Sequence, residues 1–350
     1  MATIDDHGGW PALLTHLLER NHLTTEQSRV VMETILSGEA TVAQIVAFLV
    51  ALRAKGESAD ELSGLLEGVL EFAAAVPLTE AQRDAAIDIV GTGGDRSHSV
   101  NVSTMAALVC AGAGATVLKH GNRGASSKCG TADVLEALGV AIELSPAGAR
   151  RVLDRAGIAF CLAPAFHPAF RHAGPPRREI GIPTVFNLLG PMANPGRVRR
   201  YVIGVANAAF AERMVDTLRY HGATHAWVVH GAGLDELSTL GPSHVVELRD
   251  GEVTRFDVDA TVHGIDRAAL DDLVGGDPEH NAGVVREVLG GKPGPHRDIV
   301  VLNAAAGLVV AGLALDLADG VARASAAIDS GAASHALARL IAESQAAVAA

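Results

Sequence analysis

Several short segments carry the residue types that hold phosphate. Gly91-Thr92-Gly93-Gly94-Asp95 puts three glycines in four residues. Such a loop bends tightly, comes close to a ligand and can turn its amides inward as an anion cradle. Ser99, Asn101, Ser103 and Thr104 stand just before an apolar helix over 105–111, where free helix-end amides and hydroxyls meet. Segment 119–128 reads Lys-His-Gly-Asn-Arg-Gly-Ala-Ser-Ser-Lys, alternating cations and hydroxyls with residues small enough to admit a diphosphate. Asp235 and Glu236 follow a glycine turn, and adjacent carboxylates suit a hard divalent cation whose shell is completed by water and phosphate. Arg177 and Arg178 in Pro175-Pro176-Arg177-Arg178-Glu179 offer planar forks that match a carboxylate. Taken singly, these segments also read as a tight turn, a helix cap, a solvated loop and a surface pair.

The elements that must position them follow from periodicity. Residues 1–75 read as four helices. Trp10, Leu13, Leu14, Leu17 and Leu18 recur at helical spacing. Thr24 with Gln27, Thr41 with Gln44 and Ser58 with Glu61 form three capping boxes, and Gly38 and Gly56 mark stops. The stripe Val42, Ile45, Val46, Leu49, Val50 is wide enough to bury deeply. From residue 76 strands and helices alternate: strands over 86–90, 116–119, 158–162, 201–205 and 226–229, and helices over 131–138, from Ser145-Pro146, and over 210–221. This predicts an α/β unit with a mainly parallel sheet, whose loops at the carboxyl ends of the strands bind ligands. Residues 163–197, rich in Pro, Arg, His and Gly, read as an irregular loop or an excursion into the helical part. From Ala332 an Ala-rich helix, single or paired, closes the chain.

The formal charge of −12 speaks against bulk attraction to nucleic acid or to an anionic membrane. Any polyanion must be bound locally, with the help of a metal. No apolar run reaches the ~18 residues of a membrane span, and the first residues lack a signal-peptide pattern. Cys110, Cys129 and Cys161 have no metal-ligand spacing and suggest no disulfide framework. The expectation is a cytoplasmic protein. His263, His280 and His296 are expected at the surface.

In their order and intervals, segments 91–95, 101–104, 119–127, Phe186-Asn187-Leu188-Leu189-Gly190-Pro191 and 233–238 resemble the anthranilate phosphoribosyltransferases of the tryptophan pathway. The likeness runs on to Asn303-Ala304-Ala305-Ala306. It implies a small N-terminal helical domain, residues 1–76 with an excursion near 174–192, and a larger α/β domain, 77–173 and 193–350. The larger domain would bind phosphoribosyl pyrophosphate (PRPP), with the site in the cleft between them and a homodimer formed through the helical part. PRPP contacts would come from Gly91, Gly94, Asp95, Ser99, Asn101, Val102, Ser103, Thr104, Lys119, His120, Gly121, Asn122, Arg123, Gly124, Ala125, Ser126, Ser127 and Thr131. Magnesium (Mg2+), as two ions, would use Ser103, Asp235 and Glu236. Anthranilate would meet Gly91, Asn122 and Arg177, with 166–168 lining its route. No dedicated catalytic base is implied. The aniline nitrogen is already neutral, and nothing in the sequence pairs His120, the one candidate, with an orienting carboxylate.

Four positions depart from the family's common pattern: Arg96 stands at a frequent glycine, Gly124-Ala125 at Ser-Val, Cys129 at Ser and Phe166 at His. Two rivals share the fold. A pyrimidine-nucleoside phosphorylase would lack use for the carboxylate pair and Arg177. A nucleic-acid-binding homologue would need a basic stripe that is missing.

Overall fold

In the computed structural model, which describes residues 2–124 and 128–349, the first helices are Gly9–Leu18, Thr25–Leu36, Val42–Lys55 and Ala59–Glu71. All three expected capping boxes form, and Thr79 with Gln82 makes a fourth. Phe48, Leu52, Leu62, Leu65 and Leu66 are fully buried among these helices. The stripe on Val42–Lys55 divides: Ile45 and Leu49 face the core, while Val42 and Val50 are exposed, as is Leu18. One helical face is therefore wider than its own bundle can cover.

A seven-stranded sheet forms the rest of the core: β1 (Ala86–Gly91), β2 (Thr116–Gly121), β3 (Ile158–Leu162), β4 (Arg200–Gly204), β5 (His225–Gly231), β6 (Ser243–Arg249) and β7 (Glu252–Val258). Their order is β3-β2-β1-β4-β5-β6-β7. The first five in that order run parallel, and β6 and β7 are antiparallel. The parallel sheet is as expected. The hairpin is an addition, although its signal is present: Asp250-Gly251 joins β6 to β7 with both residues at positive φ, the geometry of a two-residue type I′ turn.

Chain order reverses between β1 and β4, so a crevice opens beyond their carboxyl ends, the usual place for a ligand in an open α/β sheet. Residues 163–197 prove to be mostly short helices. Of these, Gly174–Ile180 and Phe186–Met192 pack on Val42–Lys55 and Ala59–Glu71, which is the excursion form of the expectation. The C-terminus is the single helix Ala332–Val348. No helix among the described residues is long and apolar enough to cross a membrane.

Candidate active site

The crevice gathers the separate segments. Asp235 lies against the ends of β1 and β4, where a Cβ on Gly91 or Gly204 would overlap it; only glycine lets the segment in. Gly93 N–H donates to Asp235 Oδ2 at 2.7 Å, and Ser103 N–H donates to Glu236 Oε1 at 3.2 Å. The glycine loop, the start of helix Val102–Gly112 and the acidic pair thus share one wall. Both acidic residues keep some exposed surface in the cleft while their carboxylates lie deep. Burial raises both: Glu236 is pushed up to about 8, and Asp235 rises well above the usual range, with Glu236 and Asp95 adding to the push.

Lys119 on β2 is the cation set against this charge. It is buried. Its Nζ donates to the Ile89 carbonyl and to Ser103 Oγ at 3.3 Å. Burial lowers its pKa, while Asp88 and Glu236 oppose the drop. Asp88, in the middle of β1, was not singled out by sequence. It is wholly buried and accepts from His120 N–H at 3.2 Å and from Asn194 Nδ2 at 2.8 Å. Burial pushes its carboxyl up to about 6. Nothing in Ile-Asp-Ile-Val marks a site; only its neighbours across the sheet do.

His120 is oriented by a carbonyl rather than a carboxylate. Its Nδ1 donates to Gly190 O at 3.2 Å, which leaves Nε2 as an acceptor, buried and without a partner among the described residues. The His167 ring is centred 5.0 Å away, with its Nε2 donating to Ala193 O at 2.8 Å. From His167 a row of rings continues. Phe170 stacks at 5.0 Å, Phe186 meets Phe170 edge-on at 5.4 Å, and the Arg177 guanidinium lies 4.7 Å over Phe186. Arg177 is half-buried, and among the described residues it has no carboxylate partner. Burial lowers its pKa, so an anion there would gain from an unpaired cation.

Burial holds His120 down to about 3 and His167 down to about 4. Both rings are neutral in the fold, whereas free imidazoles titrate near 6.5. The stability this gives is present above pH 6.5 and is lost as the medium is acidified towards the folded values. Unfolding free energy should fall by roughly 3–5 kcal/mol per ring over that window. Thermal melts from pH 7.5 to 4.5 should show the decline, and His167→Asn should roughly halve it, leaving the share of His120. A slope unchanged in that variant would remove His167 from the account.

The remaining expected residues distribute as follows. Thr104 Oγ1 donates to Thr131 Oγ1 at 3.2 Å, so these two hydroxyls adjoin. Val102 is buried in the core, and its N–H donates to the Val100 carbonyl at 2.7 Å. Asp95 accepts from Ser97 Oγ at 2.8 Å, and Ser97 Oγ lies 3.2 Å from Ser99 Oγ. Gly94 has φ +83, and Arg96 holds a left-handed φ of 61°, a conformation that costs a non-glycine residue about 1 kcal/mol. At the loop after β2, Gly121 and Asn122 precede the bend. Arg123 is drawn to Asp133 at 3.1 Å and Glu136 at 2.8 Å, and Gly124 N–H donates to Asp133 Oδ2 at 2.9 Å. Ala125, Ser126 and Ser127 lie outside the described residues. Phe166 is sealed in the core, so on segment 166–168 it is His167 that reaches the ring row. Cys110, Cys129 and Cys161 are buried. His280 is exposed, but His263 and His296 are half-buried.

The glycosyl transferase family's a/b domain matches residues 83–334, and its helical bundle domain matches 11–73. The chain is 50% identical over 339 residues to the anthranilate phosphoribosyltransferase of Arthrobacter sp. (strain FB24), covering 95% of each. It is 49% identical over 338 residues to that of Saccharopolyspora erythraea, again 95% of each. Among solved structures, the anthranilate phosphoribosyltransferase of Thermus thermophilus superposes with a TM-score of 0.89 at 40% identity, over 95% of this chain and 99% of that one. The Saccharomyces cerevisiae enzyme in complex with PRPP and Mg superposes with a TM-score of 0.87 at 27% identity, over 96% and 98%. The same yeast enzyme with 4-fluoroanthranilate gives 0.85 at 26%, over 97% and 99%.

Proposed function

The chain belongs to the anthranilate phosphoribosyltransferases, and we infer that it transfers the 5-phosphoribosyl group from PRPP to the amine of anthranilate, releasing pyrophosphate, in L-tryptophan biosynthesis. The observation that carries this reading is a pair of unlike groupings that meet at Lys119 and His120: a buried acidic pair beside Lys119, and from His120 a row of rings ending in the Arg177 guanidinium. The first suits a cation-bound diphosphate. The second suits an aromatic carboxylate.

Breaking the bond from C1 to pyrophosphate builds positive charge on the ribose and negative charge on the leaving group. Catalysis is then mainly positioning and electrostatics. The carboxylates of Asp235 and Glu236, raised by burial and opposed by Lys119 at Glu236 and by the Gly93 and Ser103 amides, fit a hard cation by their own chemistry. Ser103 stands between Glu236 and Lys119 as a further oxygen. Magnesium bound there, as two ions, would neutralise charge on the diphosphate. Lys119 and the main-chain amides of Gly94, Asp95 and Thr104 hold the leaving group, while those of Thr92, Gly93, Val102 and Ser103 are donated within the protein. Arg177 pairs with the anthranilate carboxylate, and the ring row sets the plane of the aromatic acceptor. His120 Nε2, buried and without a partner among the described residues, stands at the start of that row, and burial holds it near 3, too weak for a general base. Residues 1–76 with 174–192 form the helical domain, and 77–173 with 193–350 the α/β domain. The exposed Leu18, Val42 and Val50 support a homodimer through the helical face. Net negative charge and the absence of a basic stripe fit a small-molecule enzyme in the cytoplasm.

The direct test is the loss of anthranilate fluorescence on adding PRPP and magnesium, run beside uridine or thymidine with phosphate. Product only in the nucleoside reaction would overturn the assignment. For the acceptor end, Arg177→Ala should raise the anthranilate KM by about 10–100-fold, the value of a charge-assisted pair, with the PRPP KM changed less than about twofold. Equal KM values in parent and variant would make Arg177 a surface residue.

A further inference from the structure

Asn281 sits on helix Pro278–Leu289, remote from every segment singled out for chemistry, yet its amide is buried. Gly276 N–H donates to Asn281 Oδ1 at 2.7 Å. Asn281 Nδ2 donates to Asn101 Oδ1 at 2.9 Å. Asn101 Nδ2 donates in turn to the Cys129 carbonyl at 3.2 Å. This relay can run only one way. It begins at a main-chain N–H and ends at a main-chain carbonyl, and neither can reverse its polarity, so both side-chain amides are fixed in orientation.

The relay's first anchor is itself tied to the phosphate segment. Gly275 N–H donates to His98 O at 2.8 Å, and Val100 N–H donates to Leu273 O at 2.9 Å. A Cβ on Gly275 would crowd Asn281 Oδ1 at 2.8 Å and Val100 Cα at 3.2 Å, so Asn281 is packed closely against the segment it serves. A cavity of about 130 Å³ opens beside the relay, lined by His98, Ser99, Lys128 and Asn281 among others. The Asn101 amide has both ends engaged by protein: one holds Asn281 and the other holds the Cys129 carbonyl, just before helix Thr131–Ala137.

We propose that Asn281 is a positioning residue for PRPP, acting through Asn101 to hold the start of helix Val102–Gly112 in register with Cys129, beyond the loop that follows β2. This rests on the reading of those two segments as PRPP contacts. Its role is to set the geometry of Asn101 and of the two segments that Asn101 ties together.

The test is a double-mutant cycle on the full chain, with KM for both substrates and kcat read by anthranilate fluorescence. Asn281→Asp keeps the acceptor for Gly276 N–H but sets a carboxylate oxygen against Asn101 Oδ1. It should raise the PRPP KM about tenfold, the usual order for one lost buried hydrogen bond, with kcat and the anthranilate KM within about twofold. Asn281→Ala should act in the same direction. In an Asn101→Ala background, Asn281→Ala should add less than about twofold, because its route to the substrate is already cut. Full additivity, or an unchanged PRPP KM in both Asn281 variants, would overturn the proposal. A normal PRPP KM in Asn101→Ala alone would instead show that Asn101 lies outside the PRPP site, and the proposal would fall with that premise. A merely structural defect would lower kcat and shift both KM values together.

Discussion

Asp235→Asn combined with Glu236→Gln should lower kcat/KM for PRPP by about 10³-fold, the upper range for removing a group aimed at developing charge, and should flatten the magnesium activation curve. The same double variant should melt at a higher temperature than the parent. Burial raises the pKa of both carboxylates, Glu236 to about 8. For such a group, stability is greatest below the unfolded value and is lost as pH rises through the folded one. At pH 8, above both unfolded values, the acids cost the fold stability whether they keep their protons or lose them, and neutral isosteres remove that cost. Activity and stability should move in opposite directions, as expected where a site is kept strained for use. Magnesium titrations of turnover, with melts of the metal-free protein, check both halves. Ordinary magnesium-dependent kinetics in the variant would remove the metal assignment. A lower melting temperature would mean that the negative charge of the pair, set against Lys119, stabilises the fold instead.

How far the site was legible follows from how local each signal is. The loop 91–95 could be read because glycine at positive φ is written in consecutive residues. The capping boxes could be read because each spans three positions, and all three expected ones form. The hairpin of β6 and β7 also had a local signal in Asp250-Gly251, but one strand, Ser243–Arg249, is mostly buried and the other, Glu252–Val258, mostly exposed, so neither matched the parallel pattern around them. Asp88, Asn194 and Asn281 had no local signal at all. Each is a polar residue inside a stretch that otherwise reads as strand, loop or helix. Its partner is far off in sequence: Asn194 reaches Asp88, and Asn281 reaches Asn101. The helical stripe at Val42 and Val50 shows the converse. Periodicity shows that a face is apolar, but not whether the chain's own helices suffice to cover it.

Lys119→Met should be the most damaging single change, because Lys119 serves the fold and the reaction at one point. Its Nζ bonds the Ile89 carbonyl and Ser103 Oγ and faces Asp88 and Glu236, whose charges both oppose the fall in its own pKa. Methionine fills similar space without charge or donor. Two acids then lose their nearby cation, and breaking a buried ion pair from one side costs about 3–5 kcal/mol. Turnover should fall about 10³-fold, chiefly in kcat, since the lysine's charge matters most as the diphosphate leaves. The melting temperature should fall too, opposite in sign to the carboxylate double variant, although both changes disable the same cleft. Adding Glu236→Gln to Lys119→Met should recover part of the lost stability and none of the lost activity, because it removes an unpaired charge without replacing the cation. Melts and fluorescence kinetics on the three variants measure this. If Lys119→Met alone kept near-normal kcat, the leaving diphosphate would have to be stabilised elsewhere, and the acidic pair, Ser103 and the glycine loop would be neighbours without a shared task.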